Sequence, residues 1–265
     1  MLSAEMLFDL KSFPHAALFS ADRPVWSALQ DLKQYMDEFT YPADLFSCLA
    51  DGVAAREHLV VYGGKLIDPG QCHIEFGDTL RGGLEISRAG EILKGASLIM
   101  AGAILQGSRI QIGEGSLVEG GATVKSPAII GDRSEVRQGA YMRGYCLIGD
   151  RCVVGHTTEV KHSVFLDDAK AGHFAYLGDS IIGNNANLGA GTKCANLRFI
   201  PGNVQVSYEG ELCNTGMRKF GAILGDKAQT GCNSVTSPGT IMTRGSFLMP
   251  NTTAASGFHS ERRIG

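Results

Sequence analysis

Residues 112–161, IGEGSLVEGGATVKSPAIIGDRSEVRQGAYMRGYCLIGDRCVVGHTTEVK, decide the fold. Every sixth residue from the start is apolar: Ile112, Val118, Val124, Ile130, Val136, Met142, Ile148, Val154 and Val160. Four places after each of the first eight stands a small residue: Ser116, Ala122, Ala128, Ser134, Ala140, Cys146, Cys152 and Thr158. Helices repeat at 3.6 residues and strands at 2, so neither explains two interlocked registers of six. A period of six with glycine at the corners predicts a parallel β-helix, in which three six-residue faces make one coil and residues 18 apart stack.

Working outward, the register is already clear at Ile92, Leu98 and Ile104, and a two-residue slip near Ile110 joins the two runs. After Val160 it shortens to five at Phe165, continues through Ala171 and Leu177, shortens again at Ile182, and runs on through Leu188 and Cys194. Residues 197–220 break it; Asn203 to Tyr208 followed by Glu209-Gly210 reads as a hairpin extruded over about 197–218. It resumes at Leu224, Thr230, Thr236, Met242 and Leu248. Residues 1–60 differ: Pro24 followed by Val25, Trp26, Leu29, Leu32 and Met36 marks one amphipathic helix, and Pro42-Ala43-Asp44 can begin a second. The expected organisation is an all-β, left-handed parallel β-helix over 61–252, a helical cap over 1–60 that covers the first coil, and a polar tail over 253–265.

Composition narrows the class. Glycine supplies 35 of 265 residues, above the usual share of about 7%. A net charge of −3 leaves no footprint for nucleic acid or an anionic membrane. No apolar run has the length of a membrane span, and the N-terminus does not read as a secretion signal, so a cytoplasmic protein is expected. Seven cysteines, with no C-x-x-C pair, read as reduced packing residues.

Two features point to chemistry. Arg143 and Lys161 are 18 residues apart, each just after an inward residue, so they should stack as cations on one outer edge. Unless they are merely two solvated surface charges, such a pair calls for an anion between them, and a phosphate is the natural guest. His173 lies two places after the inward Ala171, with His156 one coil below; it is either structural or a general base for an amine attacking a thioester.

The segments Tyr141-Met142-Arg143-Gly144, Thr158-Glu159-Val160-Lys161, Ala171-Gly172-His173 through Tyr176-Leu177-Gly178-Asp179, and Asn187-Leu188-Gly189-Ala190-Gly191-Thr192 resemble the C-terminal acetyltransferase domain of the bifunctional GlmU family, N-acetylglucosamine-1-phosphate uridylyltransferase/glucosamine-1-phosphate acetyltransferase. The five-residue steps also fall where that family has them. The resemblance implies acetyl-CoA-dependent N-acetylation of an amino-sugar 1-phosphate, glucosamine 1-phosphate first, in UDP-N-acetylglucosamine precursor synthesis. It implies His173 as catalytic base, Arg143, Lys161, Tyr176 and Asn187 as the sugar-phosphate site, and Ala190, Asn196, Lys219 and Cys232 toward the cofactor. It also implies a homotrimer with the site between subunits, and no metal: His156-x5-His162 and His162-x10-His173 do not match the zinc spacing of the gamma-class carbonic anhydrases.

The sequence departs from the family at Leu197, at Cys232, in the 197–218 insertion beside the cofactor groove, and in its short C-terminus. Nothing before residue 90 supplies the glycine-rich loop of the family's nucleotidyltransferase half, so uridylyltransferase activity is not expected. Two alternatives stay open: an acyltransferase for another sugar or nucleotide-sugar, or a non-catalytic sugar-phosphate-binding subunit.

Overall fold

The structure, a computed structural model, describes all residues except 43, 44, 48 and 50. Short strands wind into a parallel β-helix with three faces. The first, called here the histidine face, runs from Ser97–Ile99 through Val153–His156 and Lys170–His173 to Arg263–Ile264. The second, the tyrosine face, has eight strands from Ile104–Gln106 through Tyr141–Met142, Glu159–Lys161 and Tyr176–Gly178 to Thr253–Ala254. The third, the covered face, has eight strands from Ile110–Ile112 to Gly257–His259.

The expected register is present from Ile112 onward, but before it the inward residues are Ile99 and Leu105, one place after the expected Leu98 and Ile104. Ile92 is exposed, and the coils begin only at Ser97, because Cys72–Glu75, Glu85–Arg88 and Glu91–Ile92 pair antiparallel in a sheet of their own. Val124 pairs with Met142, Met142 with Val160 and Val160 with Leu177. These side chains, with Val118, Val136 and Val154, are wholly buried in one continuous interior. Cys146, Cys152 and Cys194 lie in that interior, where burial pushes the Cys146 thiol up to about 12 and the Cys194 thiol to about 11. They pack as neutral side chains. Corners are turned by residues of positive φ, among them Thr157, Phe174 and Gly191 between the histidine and tyrosine faces. At the corner leading back to the histidine face, carboxylates tie coil to coil: Asp132 accepts from the Glu114 amide, Asp150 from Asp132, and Asp167 from Asp150.

The helical N-terminus lies elsewhere than expected. Its two helices, α1 (Ala4–Leu7) and α2 (Ser27–Glu38), run along the flank of the covered face and not over the first coil. The reason is an outward apolar column, Ile129, Leu147, Val164, Ile181, Ile223 and Ile241, each one residue before an inward position. Left in water, that column would be a continuous apolar stripe; Leu7, Leu29, Leu32 and Met36 bury it. The layer is tied at one end by Asp9 amide to Asp226 at 2.7 Å and at the other by Arg109 to Asp37 at 2.5 Å. Because the five-residue steps interrupt the column, its hydrophobics carry no single period that names a partner element.

The first coil is closed instead by the antiparallel hairpin Leu59–Tyr62/Lys65–Ile67, which pairs with Ser97–Ile99, and by Leu45, Phe46 and Leu49. The expected second helix falls partly on residues 43, 44 and 48, outside the described residues; Leu45–Ser47 form a turn. The extruded hairpin is present as Gln205–Tyr208 paired with Glu211–Asn214, and its Val204 and Val206 join α2 on the covered face. Residues 253–265 are not a tail: strands Thr253–Ala254, Gly257–His259 and Arg263–Ile264 continue the coils, burying Ala254 and Ile264. Met242 pairs with His259 and Leu248 with Ile264, so this last turn is shortened and escapes a strict count of six.

Leu147 is wholly buried under the N-terminal layer, whereas Leu212 on the hairpin is 70% exposed. Leu147→Ala should lower unfolding free energy by about 2–5 kcal/mol in urea titration, and Leu212→Ala should leave it within roughly 0.5 kcal/mol.

Candidate functional site

Chain register brings the expected residues to both sides of one edge. On the tyrosine face, an inner column stacks Tyr141, Glu159, Tyr176 and Lys193 in order. Beside it, Arg143 and Lys161 follow each other on successive coils, as their 18-residue separation requires. Their mutual repulsion is not relieved in the way the sequence suggested. Glu159 accepts from Arg143 at 2.6 Å, and Lys161 Nζ lies 3.5 Å from Asp179 Oδ2. The chain supplies its own counter-charges, so stacking alone does not demand an external anion.

Asp179 is the hub of this half of the site. It is buried, with Asn196 Nδ2 donating to its Oδ2 at 2.5 Å and His162 Nδ1 3.1 Å from its Oδ1. Burial alone would lift its carboxyl, but His162, Asn196 and Lys161 outweigh burial and hold it below the ordinary carboxylate range. Asn196 in turn accepts from the Tyr176 hydroxyl at 3.4 Å, and burial raises that phenol so that it stays a neutral donor. Glu159, Asp179 and His162 were all missed as site residues, although Glu159 and Asp179 stand inside the motifs Thr158–Lys161 and Tyr176–Asp179.

Across the corner, His173 ends the strand Lys170–His173 with its side chain exposed. Its register neighbour is His156, as the stacking count expected. The two strands approach closely before the histidines: a Cβ on Gly155 would collide with the Gly172 carbonyl. His156 Nδ1 donates to the Gln138 carbonyl at 2.8 Å, and Phe174 lies against both rings, with centroids at 5.6 Å from His156 and 6.2 Å from His173. Above His173, the Gly191 amide donates to its carbonyl at 3.0 Å.

His173, Asn187, Ala190 and Cys232 line one open cleft of about 890 Å³ on the histidine face, with Lys170 at the level of His173, Arg137 below it, and Leu80 and Arg81 also in its lining. The residues expected toward the cofactor are therefore divided. Ala190 and Cys232 share the cleft with His173, Asn196 belongs to the Asp179 cluster, and Lys219 is exposed at the far edge, where it bridges to Leu197. No residue of the hairpin lines the cleft, because the hairpin is folded onto the covered face. No group of three histidine, cysteine or acidic side chains is disposed to hold a metal among the described residues. Nor, among those residues, is any helix long and apolar enough to cross a membrane.

Repeat, coil and sheet order define a left-handed parallel β-helix of the hexapeptide class. Its sequence is GlmU-like. The chain is 43% identical over 86 residues to a bifunctional sugar-1-phosphate nucleotidylyltransferase/acetyltransferase of Sulfurisphaera tokodaii, covering 32% of this chain and 21% of that protein. It is 40% identical over 98 residues to the bifunctional protein GlmU of Methanococcus aeolicus, covering 37% and 24% respectively. The matched stretch is thus no more than about a quarter of these relatives' length. The profile of the GMPPB C-terminal domain matches residues 124–243. Among solved structures, the UDP-N-acetylglucosamine acyltransferase of Francisella novicida aligns with a TM-score of 0.38 and 16% identity, over 59% of this chain and 58% of that one.

Asp179 ionised is worth most where its folded and unfolded carboxyls differ. Its stabilising contribution is complete above the ordinary pKa of about 3.9 and is lost as pH falls through the lowered folded value. Asp179→Asn should cost roughly 1.5–3 kcal/mol at pH 7 and should flatten the acid limb of stability below about pH 4, read by denaturant titration across pH.

Proposed function

We propose that this protein transfers an acyl group, acetyl first, from acyl-CoA to the amine of an amino-sugar phosphate. The observation that carries the reading is the shared level of His173 and Tyr176, with Lys161 and Arg143 on the next two coils down. A sugar phosphate held by Lys161 and Arg143 would present its ring to Tyr176 and its amine to the His173 edge. The cleft lined by Ala190 and Cys232 is open to a pantetheine arm from the other side of that edge.

In this reading the amine lone pair attacks the thioester carbonyl and the C–N bond forms. Neutral His173 takes the proton released by the amine. The tetrahedral intermediate collapses with C–S cleavage, and the departing thiolate takes the proton from the imidazolium. Tyr176, kept neutral, and Asn196 are donors within the sugar half. Glu159 must yield Arg143 when phosphate binds, so the ligand exchanges one carboxylate partner for a doubly charged one.

A homotrimer belongs to the same proposal. The covered face is closed by the chain's own N-terminus and the lower histidine face by Leu84 and Ile86, which leaves the tyrosine face, the upper histidine face and the edge between them for neighbouring copies. The two half-sites flank that edge, so a subunit packed against it would enclose both substrates.

The test is CoA thiol release from acetyl-CoA with a panel of amino-sugar phosphates, glucosamine 1-phosphate among them. His173→Ala should reduce turnover by about 10²–10⁴-fold without changing the melting temperature. No thiol release with any acceptor would refute catalysis. Thermal stabilisation by a sugar phosphate that disappears in Lys161→Ala would then establish the binding-subunit alternative.

A further inference from the structure

The outer column of the tyrosine face extends beyond the pair of cations that a single phosphate would use. Lys125 stands 18 residues before Arg143, as Arg143 stands 18 before Lys161. Their strands are successive rungs: Ile104–Gln106, Thr123–Lys125, Tyr141–Met142 and Glu159–Lys161. Rungs are about 4.8 Å apart, so the three cations span about 10 Å. One phosphate bridges neighbouring rungs, whereas two linked phosphates reach the third.

The charges are unequally compensated. Arg143 has Glu159 and Lys161 has Asp179, but Lys125 has no carboxylate within ion-pair distance among the described residues. Its ammonium sits 5.2 Å from the Tyr141 ring centroid, and the Arg143 guanidinium 5.9 Å from the same ring. Tyr141 thereby holds both side chains at the face, where an anion can meet them.

Both ends of the column are also defined. One coil above Lys161 the same position is Gly178, where the absence of a side chain lets the Asn196 amide and the Tyr176 hydroxyl close in and cap the column with polar groups at the level of His173. One coil below Lys125 it is Gln106, and there the chain turns out through Gly107 and Ser108. These two residues, with Leu45, Phe46, Leu49 and Leu105, line a cavity of about 260 Å³ whose polar groups include Ser47 and Asp51, the Asp51 carboxylate being held by the Gly107 amide.

We propose that the acceptor is a nucleoside diphosphate amino sugar bound lengthwise along this column. Its sugar lies at Tyr176, its inner phosphate between Lys161 and Arg143, its outer phosphate between Arg143 and Lys125, and its nucleoside points down to the cavity lined by Leu45, Phe46 and Leu49. As an acceptor assignment this rests on the acyl-transfer reading; as a diphosphate site it stands on the column itself.

The test compares binding of glucosamine 1-phosphate and UDP-glucosamine to the full chain by calorimetry, beside thiol release with acetyl-CoA. Wild type should bind UDP-glucosamine at least tenfold more tightly. Lys125→Ala should erase that advantage while leaving the monophosphate unchanged, and Lys125→Arg should restore it. Equal affinity for the two sugars, or an advantage that survives Lys125→Ala, overturns the proposal. Lys125-dependent binding of UDP-glucosamine without CoA release from either sugar supports the diphosphate site while overturning acyl transfer.

Discussion

Everything in this molecule hangs on the vertical backbone hydrogen bonds that join each coil to the next. Strand spacing is fixed at about 4.8 Å by those bonds, so a residue's height on the solenoid is set by its place in the sequence. Inside, that constraint forces like to stack on like, and aliphatic and small side chains, with Phe165 among them, fill a shaft of near-constant width. Outside, it stacks whatever the sequence supplies, including charges of one sign. The outer surface is therefore a set of columns in which repulsion must be met rung by rung. Glu159 and Asp179 meet it for Arg143 and Lys161, and Asp132, Asp150 and Asp167 turn the same stacking into a ladder of carboxylate-to-amide bonds.

The parts of the structure that obey the period of six were legible from the sequence, and the parts that depend on contacts between distant segments were not. The inward ladder, the five-residue steps and the position of His173 over His156 all follow from counting. The column from Ile129 to Ile241 was equally visible in the residues, one place before each inward position. What covers it was not, because α2 lies over a hundred residues away in sequence from most of that column and its amphipathic pattern names no partner. The last coil was read as a tail because its steps are shortened and its composition is polar, while the backbone pairing that holds it is blind to composition. In the site, counting placed the cations but not their carboxylates: Asp179 occupies a corner, where a positive φ and a five-residue step aim its side chain between Lys161 and Asn196.

That corner joins the N-terminal layer to the candidate site. Asp37 of α2 takes the Arg109 guanidinium, which holds its carboxyl below the ordinary range, and also accepts from the Tyr145 hydroxyl at 3.1 Å. Lys33 lies over the Tyr145 ring, and Tyr145 packs edge-on against His162 with centroids 6.3 Å apart. His162 faces Asp179, which holds Lys161 and Asn196. The helical layer thus does two things with one edge. It buries the apolar stripe that a bare solenoid would expose, and through Tyr145 it backs the residue on which the cationic column turns. A rigid solenoid can place charges at fixed heights but cannot by itself fix the rotamers of long side chains, which carry about 2 kcal/mol of conformational freedom each. Contacts from a second layer remove part of that freedom, and the buried Asp179 sits where coil and helical layer meet.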